Sequence, residues 1–396
     1  MKIALFPSAY YPSLGGVEEL SRQLALELCR CGHEVIAITN RWPRNLPRHE
    51  KLDGIDVYRP ALRTRGSGIK SELSYVLTSN SVRREVSRLV KEFKADLLHV
   101  MCVSPGADYA MDTARALRLP LVTTLQGELT MDANRVFQRS KTAQATLRRA
   151  LSESTSITAC SAKTLADAIA FNGGRVESPT HVIFNGALVA DFDNVQPTLR
   201  EKPFVFALGR LVPQKGFDVL LDSLKAQPDC LPNGWELVIA GDGPDESQLR
   251  ELCRFHGLDG RVRFIGRADH AAVAGLMRGC EFVVVPSRAD EGLPVVCAES
   301  MAAGKAVVGT RRGGIPEAII HQENGLIVEP ENATDLANAI RQIAHNSELR
   351  HAMSAKAYQR STEFSWPVVT KSYVAVYEEA RGLCIRRNGT QNPNRL

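Results

Sequence analysis

Short, wholly apolar runs alternate along this chain with stretches whose apolar residues recur every three to four positions. Lys2 to Phe6 is a run suited to a buried strand, and Val17 to Cys31 shows helical spacing through Leu20, Leu24, Ala25 and Leu28. Gly32 closes that helix, and His33 to Thr39 reads as the next strand. Strand, helix and strand in quick succession make a βαβ unit, which builds a parallel sheet. The order repeats with strand Ala95–Val100, helix Ala107–Leu117, strand Leu121–Thr124, a helix about 141–151, strand Ser156–Ser161, and His181–Phe184 ending at Asn185-Gly186.

From Asp191 to Pro203 the sequence is polar and Pro-containing and reads as a linker. A second series follows: strand Phe204–Leu208, helix Phe217–Leu224, strand Glu236–Ala240, then strands Val262–Ile265, Phe282–Val285, Ala306–Gly309 and Leu326–Val328. A last apolar helix, Val368–Ala380, follows Phe364-Ser365-Trp366. The pattern predicts an α/β chain of two Rossmann-like, doubly wound parallel-sheet domains facing a central cleft. In such folds ligands sit at the carboxyl ends of the strands.

The 396 residues, 44% apolar and 23% charged, suit a soluble protein of two or three domains. No stretch approaches the ~18 apolar residues of a membrane span, since the run Phe282–Val285 stops at Pro286. The apolar start, Met1 to Pro7, is too short for a signal peptide. Nine scattered cysteines without a Cys-x-x-Cys pair read as reduced, mostly buried thiols, so a cytoplasmic protein is expected. Residues 1–195 hold 25 basic and 20 acidic residues, a net +5, while the remainder is neutral. Within 41–94 there are 13 basic and 6 acidic residues, with Arg83, Arg84, Arg88, Lys91 and Lys94 at near-helical spacing. That face suits peripheral contact with an anionic membrane or a lipid-linked or anionic acceptor, or is simply a solvated basic surface. No nucleic-acid partner is expected.

Candidate chemistry falls where strands end. Gly15-Gly16 precedes a helix, either as a phosphate approach or as a plain turn. Gly209-Arg210-Leu211-Val212-Pro213-Gln214-Lys215-Gly216 places two cations in a Gly-bounded loop, able to hold a diphosphate or simply solvated. Gly241-Asp242-Gly243-Pro244 reads as a turn. In the segment from Pro286 to Gly304, Glu291 lies in a loop, Gly292-Leu293-Pro294 opens a helix, and Glu299 lies inside it among Val295, Val296, Ala298, Met301 and Ala302. A carboxylate there needs a partner, either sugar hydroxyls or an arginine. Arg311-Arg312-Gly313-Gly314-Ile315-Pro316-Glu317 opens another helix.

With the Gly-Arg…Lys-Gly loop and the Glu291…Glu299 pair both in its second half, the sequence resembles family 4 glycosyltransferases, retaining enzymes of the GT-B fold that use nucleotide-sugar donors. Asn185-Gly186 and Gly313-Gly314 before Glu317 also fit that pattern. The resemblance implies an acceptor-binding domain over 1–196, a donor-binding domain over 197–365, and a C-terminal helix about 366–382 returning to the first domain. Residues 386–396 would be a disordered tail. The implied reaction moves a sugar, hexosyl or N-acetylhexosaminyl, from a nucleoside-diphosphate sugar to an acceptor hydroxyl in cell-envelope, exopolysaccharide or glycolipid synthesis. No metal and no cofactor would take part.

Carried over by residue, Arg210 and Lys215 would bind the diphosphate and steady the leaving group, and Glu299 would hold the ribose. Glu291 would contact sugar hydroxyls. Gly292, Leu293 and Pro294 would cradle sugar and phosphate, Gly266-Arg267 would sit by the base, and Gly16 would close over the phosphates. On the acceptor side the implied positions are His99 and Gln126; Glu128 and Asp132, beside Gln126, are acidic groups able to meet an acceptor hydroxyl or simply helix N-terminal acids. The chain departs from the pattern there, with Gln126 where relatives carry His, Met101 for the second His of His-x-His, and Leu188 for an Asp. Asp191-Phe192-Asp193 has metal-binding spacing but lies in the linker, and His33, His181, His256, His270 and His321 lack ligand spacing. Two other readings are a GT-B nucleotide-sugar epimerase and a non-catalytic nucleotide-sugar-binding protein.

Overall fold

Runs of consecutively buried residues become the strands of two parallel sheets in the computed structural model, which describes residues 1–13, 16–63, 69–130, 136–189, 192 and 194–390. The chain divides into two units, one holding Met1–Phe184 and the residues from Val369 onward, the other Asn185–Val368. Both sheets owe their apolar runs to burial on both faces, as parallel sheets require.

The first unit contains β1 (Lys2–Phe6), β2 (Glu34–Ile38), β3 (His49–Leu52), β4 (Ile55–Tyr58), β5 (Leu97–Val100), β6 (Leu121–Leu125), β7 (Ser156–Ala159) and β8 (Thr180–Val182). Their spatial order is β3-β4-β2-β1-β5-β6-β7-β8. Helices α1 (Gly16–Arg30), α2 (Ile69–Phe93), α3 (Pro105–Leu117), α4 (Val136–Arg139), α5 (Lys141–Glu153) and α6 (Ala162–Phe171) connect them. Phe6, Ile38, Val86, Leu98, Ala110 and Met111 lie in one core cluster, each large side chain contributing about 1.5–3 kcal/mol by burial. The β3–β4 hairpin, unforeseen in the alternation pattern, is the antiparallel edge. Its outer strand His-Glu-Lys-Leu is polar and half exposed, which protects the edge from further pairing.

The second unit contains β9 (Phe204–Leu208), β10 (Glu236–Ala240), β11 (Val262–Gly266), β12 (Val283–Val285), β13 (Val307–Thr310) and β14 (Gly325–Val328), ordered β11-β10-β9-β12-β13-β14. Helices α7 (Phe217–Ala226), α8 (Glu246–Phe255), α9 (His270–Gly279), α10 (Val295–Ala302), α11 (Ile315–Ala318), α12 (Ala333–Ala344) and α13 (Ser347–Ser361) follow, and α14 (Trp366–Thr390) ends the described chain. Val205, Leu220, Ile239, Phe282, Val308 and Ile340 belong to its core.

Residues expected to form a free linker belong to the second unit. Ala187 N donates to Phe364 O (2.8 Å), Arg278 Nη1 to Phe192 O (2.9 Å) and Thr198 N to Gly275 O (2.8 Å), so the boundary falls at 184/185. The helix expected to end near 382 runs to Thr390, so residues 386–390 are helical rather than part of a disordered tail; residues 391–396 lie outside the described residues. All nine cysteines are free thiols. No described helix is long and apolar enough to cross a membrane.

His99 is the clearest link between α14 and the first sheet. It is fully buried, with Nδ1 2.8 Å from Tyr377 Oη and Nε2 2.7 Å from Thr124 Oγ1, which in turn bonds Thr158 Oγ1 at 2.6 Å. Burial pushes the imidazole pKa down to about 3. The unfolded chain therefore takes up a proton near pH 6.5 that the folded chain refuses until about pH 3. Stability is complete above pH 6.5 and falls toward pH 3 at up to ~1.4 kcal/mol per pH unit. A His99→Gln variant is expected to show a shallower loss of melting temperature between pH 6.5 and 4. Parallel wild-type and variant slopes would remove this role.

Candidate functional site

In the second sheet β9 pairs with β10 on one side and β12 on the other, and such a reversal of strand order is where open α/β sheets take their ligands, beyond the carboxyl ends of the strands. The loop after β9 carries Arg210 and Lys215; the loop after β12 carries Glu291. The structure brings them together: Lys215 Nζ donates to Glu291 Oε2 at 2.6 Å. Ser287 Oγ donates to the other oxygen, Oε1, and is itself held by Thr310 Oγ1 donating to Ser287 O at 2.5 Å. Glu291 is 6% exposed, so this is a largely desolvated carboxylate whose two oxygens are both engaged.

The backbone joins the same loops. Arg288 N and Ala289 N converge on Gln214 O, at 3.0 and 3.3 Å. On the far side, Gly313 N donates to Asp290 Oδ1 (3.0 Å) and Gly314 N to Glu291 O (2.8 Å). The Gly-Gly pair before Glu317 thus seats the carboxylate loop. Ser287 and Asp290 lie inside the segment singled out in the sequence, yet nothing in their spacing marks them as partners. Only the folded loop brings Ser287 Oγ onto a carboxylate four residues away.

Arg210 is exposed and has no charge partner among the described residues. Gly292, Leu293 and Pro294 are buried at the entrance of α10, whose N-cap residue, Pro294, offers no side-chain acceptor. Glu299 lies inside α10 as expected and is half-buried. Burial raises its carboxyl pKa, and His270 is the neighbouring group that opposes the rise. No arginine pairs with it among the described residues. Gly266 ends β11 and Arg267 follows it; Gly266 O accepts from Gly241 N at 2.8 Å, and Arg267 is exposed.

Gly16, His99, Gln126 and Glu128 lie in the first unit. Gly16 is exposed as the first residue of α1; Gly15 lies outside the described residues, as do Asp132, Asp191 and Asp193. The expectation that His99 meets an acceptor is corrected: it has no exposed surface and both ring nitrogens are hydrogen-bonded inside the core. Glu128 accepts from the backbone N–H groups of Val103 (2.9 Å), Gln126 (2.9 Å) and Gly127 (3.1 Å), so its carboxylate shapes its own loop. Burial raises its pKa against the pull of those amides. Gln126 is nearly buried, and its side-chain amide has no hydrogen bond among the described residues.

Two family models match the chain: the glycosyl transferase 4-like domain over residues 15–186 and the glycosyl transferases group 1 domain over residues 190–360. The chain belongs to the GT-B glycosyltransferases of the family 4 type. An uncharacterized glycosyltransferase of Methanocaldococcus jannaschii is 28% identical to this glycosyltransferase over 96% of this chain and 98% of its own. A phosphatidyl-myo-inositol mannosyltransferase of Mycolicibacterium smegmatis is 29% identical over 98% of this chain and 96% of its own. Among solved structures, Anabaena HepE in complex with UDP superposes with a TM-score of 0.73 at 21% identity, covering 96% of this chain and 100% of that one.

Proposed function

We propose that this glycosyltransferase moves a sugar from a nucleoside-diphosphate sugar to an acceptor hydroxyl with its anomeric configuration kept. The observation that carries the reading is the pairing of Lys215 with Glu291 at the switch point of the second sheet, on the loop that also carries Arg210, which has no charge partner among the described residues. HepE has been solved with UDP and with UDP-glucose, which supports a donor of that class.

Arg210 and Lys215 supply fixed positive charge where the diphosphate departs, and charge held in place before the reaction is the largest single source of rate in many transferases. Glu299, half-buried and without an arginine partner among the described residues, suits the ribose hydroxyl pair. Glu291 has both oxygens engaged by Lys215 and Ser287, which argues against attack on the sugar carbon. The route is therefore front-face. The bond from the anomeric carbon to the phosphate oxygen breaks with its electron pair going to phosphate, and an oxocarbenium-like sugar forms. The acceptor oxygen bonds on the same face, and its proton passes to the departing phosphate.

The test is a thermal-shift panel of UDP-, GDP- and ADP-sugars, followed by NMR of the product with any donor that stabilises the chain. A donor at a hundred times its Kd adds about 2.7 kcal/mol. One donor class is expected to raise the melting temperature and to give a product of retained configuration. An inverted product would sink the front-face route, free epimerised nucleotide sugar would favour the epimerase, and stabilisation without turnover would favour a binding protein.

A further inference from the structure

We propose that the loop after β2, residues 40–48, docks this protein on an anionic bilayer surface, with Trp42 entering the headgroup layer. Trp42 is 67% exposed, whereas Trp366 is buried and Trp235 is partly buried under the guanidinium of Arg350. A large amphipathic ring held in water belongs at a bilayer interface. The loop around it reads Arg41-Trp42-Pro43-Arg44-Asn45-Leu46-Pro47-Arg48, with three arginines and no acidic residue. Arg44 and Arg48 are exposed and make no ion pair among the described residues. Arg41 Nε donates to Leu46 O at 2.7 Å.

The helix α2, which carries the other half of the basic region, is a poorer candidate. Arg83 is held by Asp112 Oδ2 (2.6 Å) and Tyr75 Oη (2.9 Å), Arg88 faces Glu92 at 3.8 Å, and Glu85 lies among the rest. The loop is also shaped in advance. Trp42 N donates to Asn40 O (3.1 Å), Leu46 N to Pro43 O (3.1 Å) and Arg59 N to Arg48 O (2.7 Å), so little order has to be imposed on docking.

Because β2 runs parallel to β1, and β1 and β6 both run parallel to β5, the loop lies at the carboxyl edge of the first sheet, the edge that also carries Gln126 and Glu128. Docking by this loop would bring that edge to the headgroups, where an amphiphilic acceptor would lie. That last step rests on the proposed transfer reaction; the docking itself does not.

The experiment uses the full chain, without donor, and vesicles of phosphatidylcholine alone or mixed equally with phosphatidylglycerol. Cosedimentation with the anionic vesicles only, reversed by about 0.5 M salt, and a blue shift of tryptophan emission are expected. Trp42→Ser is expected to remove the blue shift and weaken partition while keeping the wild-type melting temperature. Arg44→Ala with Arg48→Ala is expected to weaken partition about 25-fold, about fivefold per arginine. The proposal fails if anionic vesicles do not sediment the protein. It fails equally if Trp42→Ser binds with an unchanged blue shift, or if Trp42 emission responds to single-stranded RNA and not to vesicles. Failure of sugar transfer would leave all of these readings in place.

Discussion

Lys215→Ala is expected to lower kcat by about 10²–10³, the usual cost of removing one charged or hydrogen-bonding group aimed at developing transition-state charge. The argument has two parts, because Lys215 has two neighbours to serve. In the resting protein its ammonium neutralises Glu291, a carboxylate 6% exposed whose other oxygen is bonded to Ser287. During transfer the same ammonium would face the departing phosphate. Loss of Lys215 alone strands a buried charge and should lower the melting temperature as well as the rate; breaking a buried pair costs up to ~3–5 kcal/mol, and the lysine's own partial exposure places this one at the low end. Combining Lys215→Ala with Glu291→Gln removes the stranded charge. If neutralising Glu291 were the lysine's only task, the double variant would recover stability and turn over as fast as Glu291→Gln alone. The leaving-group role predicts that melting recovers while kcat stays well below that of Glu291→Gln. A single variant with kcat within a few-fold of wild type would end that role.

The parallel sheets were legible because burial on both faces makes most residues of a strand apolar, and helices between them follow from the change of period. The same logic hides the β3–β4 hairpin. Its outer strand has one covered neighbour and carries His49, Glu50 and Lys51, so no apolar run marks it; only the Asp53-Gly54 turn signals it. Arg210, Lys215, Glu291 and Glu299 could be singled out because charges at strand ends or in a small-residue helix lack an obvious structural use. His99 illustrates the opposite case. Its position at the end of β5 is that of a ligand-facing residue, but α14, nearly 280 residues later, covers it with Tyr373 and Tyr377. No local pattern announces a cover supplied from the other end of the chain. Ser287 and Asp290 were equally silent, since their importance lies in the fold of one loop.

Gly313→Ala is expected to cost turnover about 100-fold, with Gly304→Ala as the control that isolates why. Both glycines have positive φ, +51° and +70°, so alanine at either meets the backbone penalty of roughly 1–2 kcal/mol. They differ in surroundings. A Cβ on Gly304 meets nothing within 4 Å, whereas one on Gly313 falls 1.8 Å from the carbonyl oxygen of Glu291. That overlap cannot be relieved by a rotamer, because the obstacle is backbone. Either the 312–314 turn or the 290–291 segment must shift, stretching the Gly313 N–Asp290 and Gly314 N–Glu291 O bonds and moving Glu291 away from Lys215. A displacement of about 1 Å at a positioning group typically lowers rate by 10². Gly304→Ala should therefore lower melting temperature slightly and leave kcat near wild type, while Gly313→Ala lowers both. Parallel melting curves and donor-saturated rates check this, and equal kcat in the two variants would show that the carboxylate loop tolerates displacement and that its seating on Gly313 is not what aligns the site.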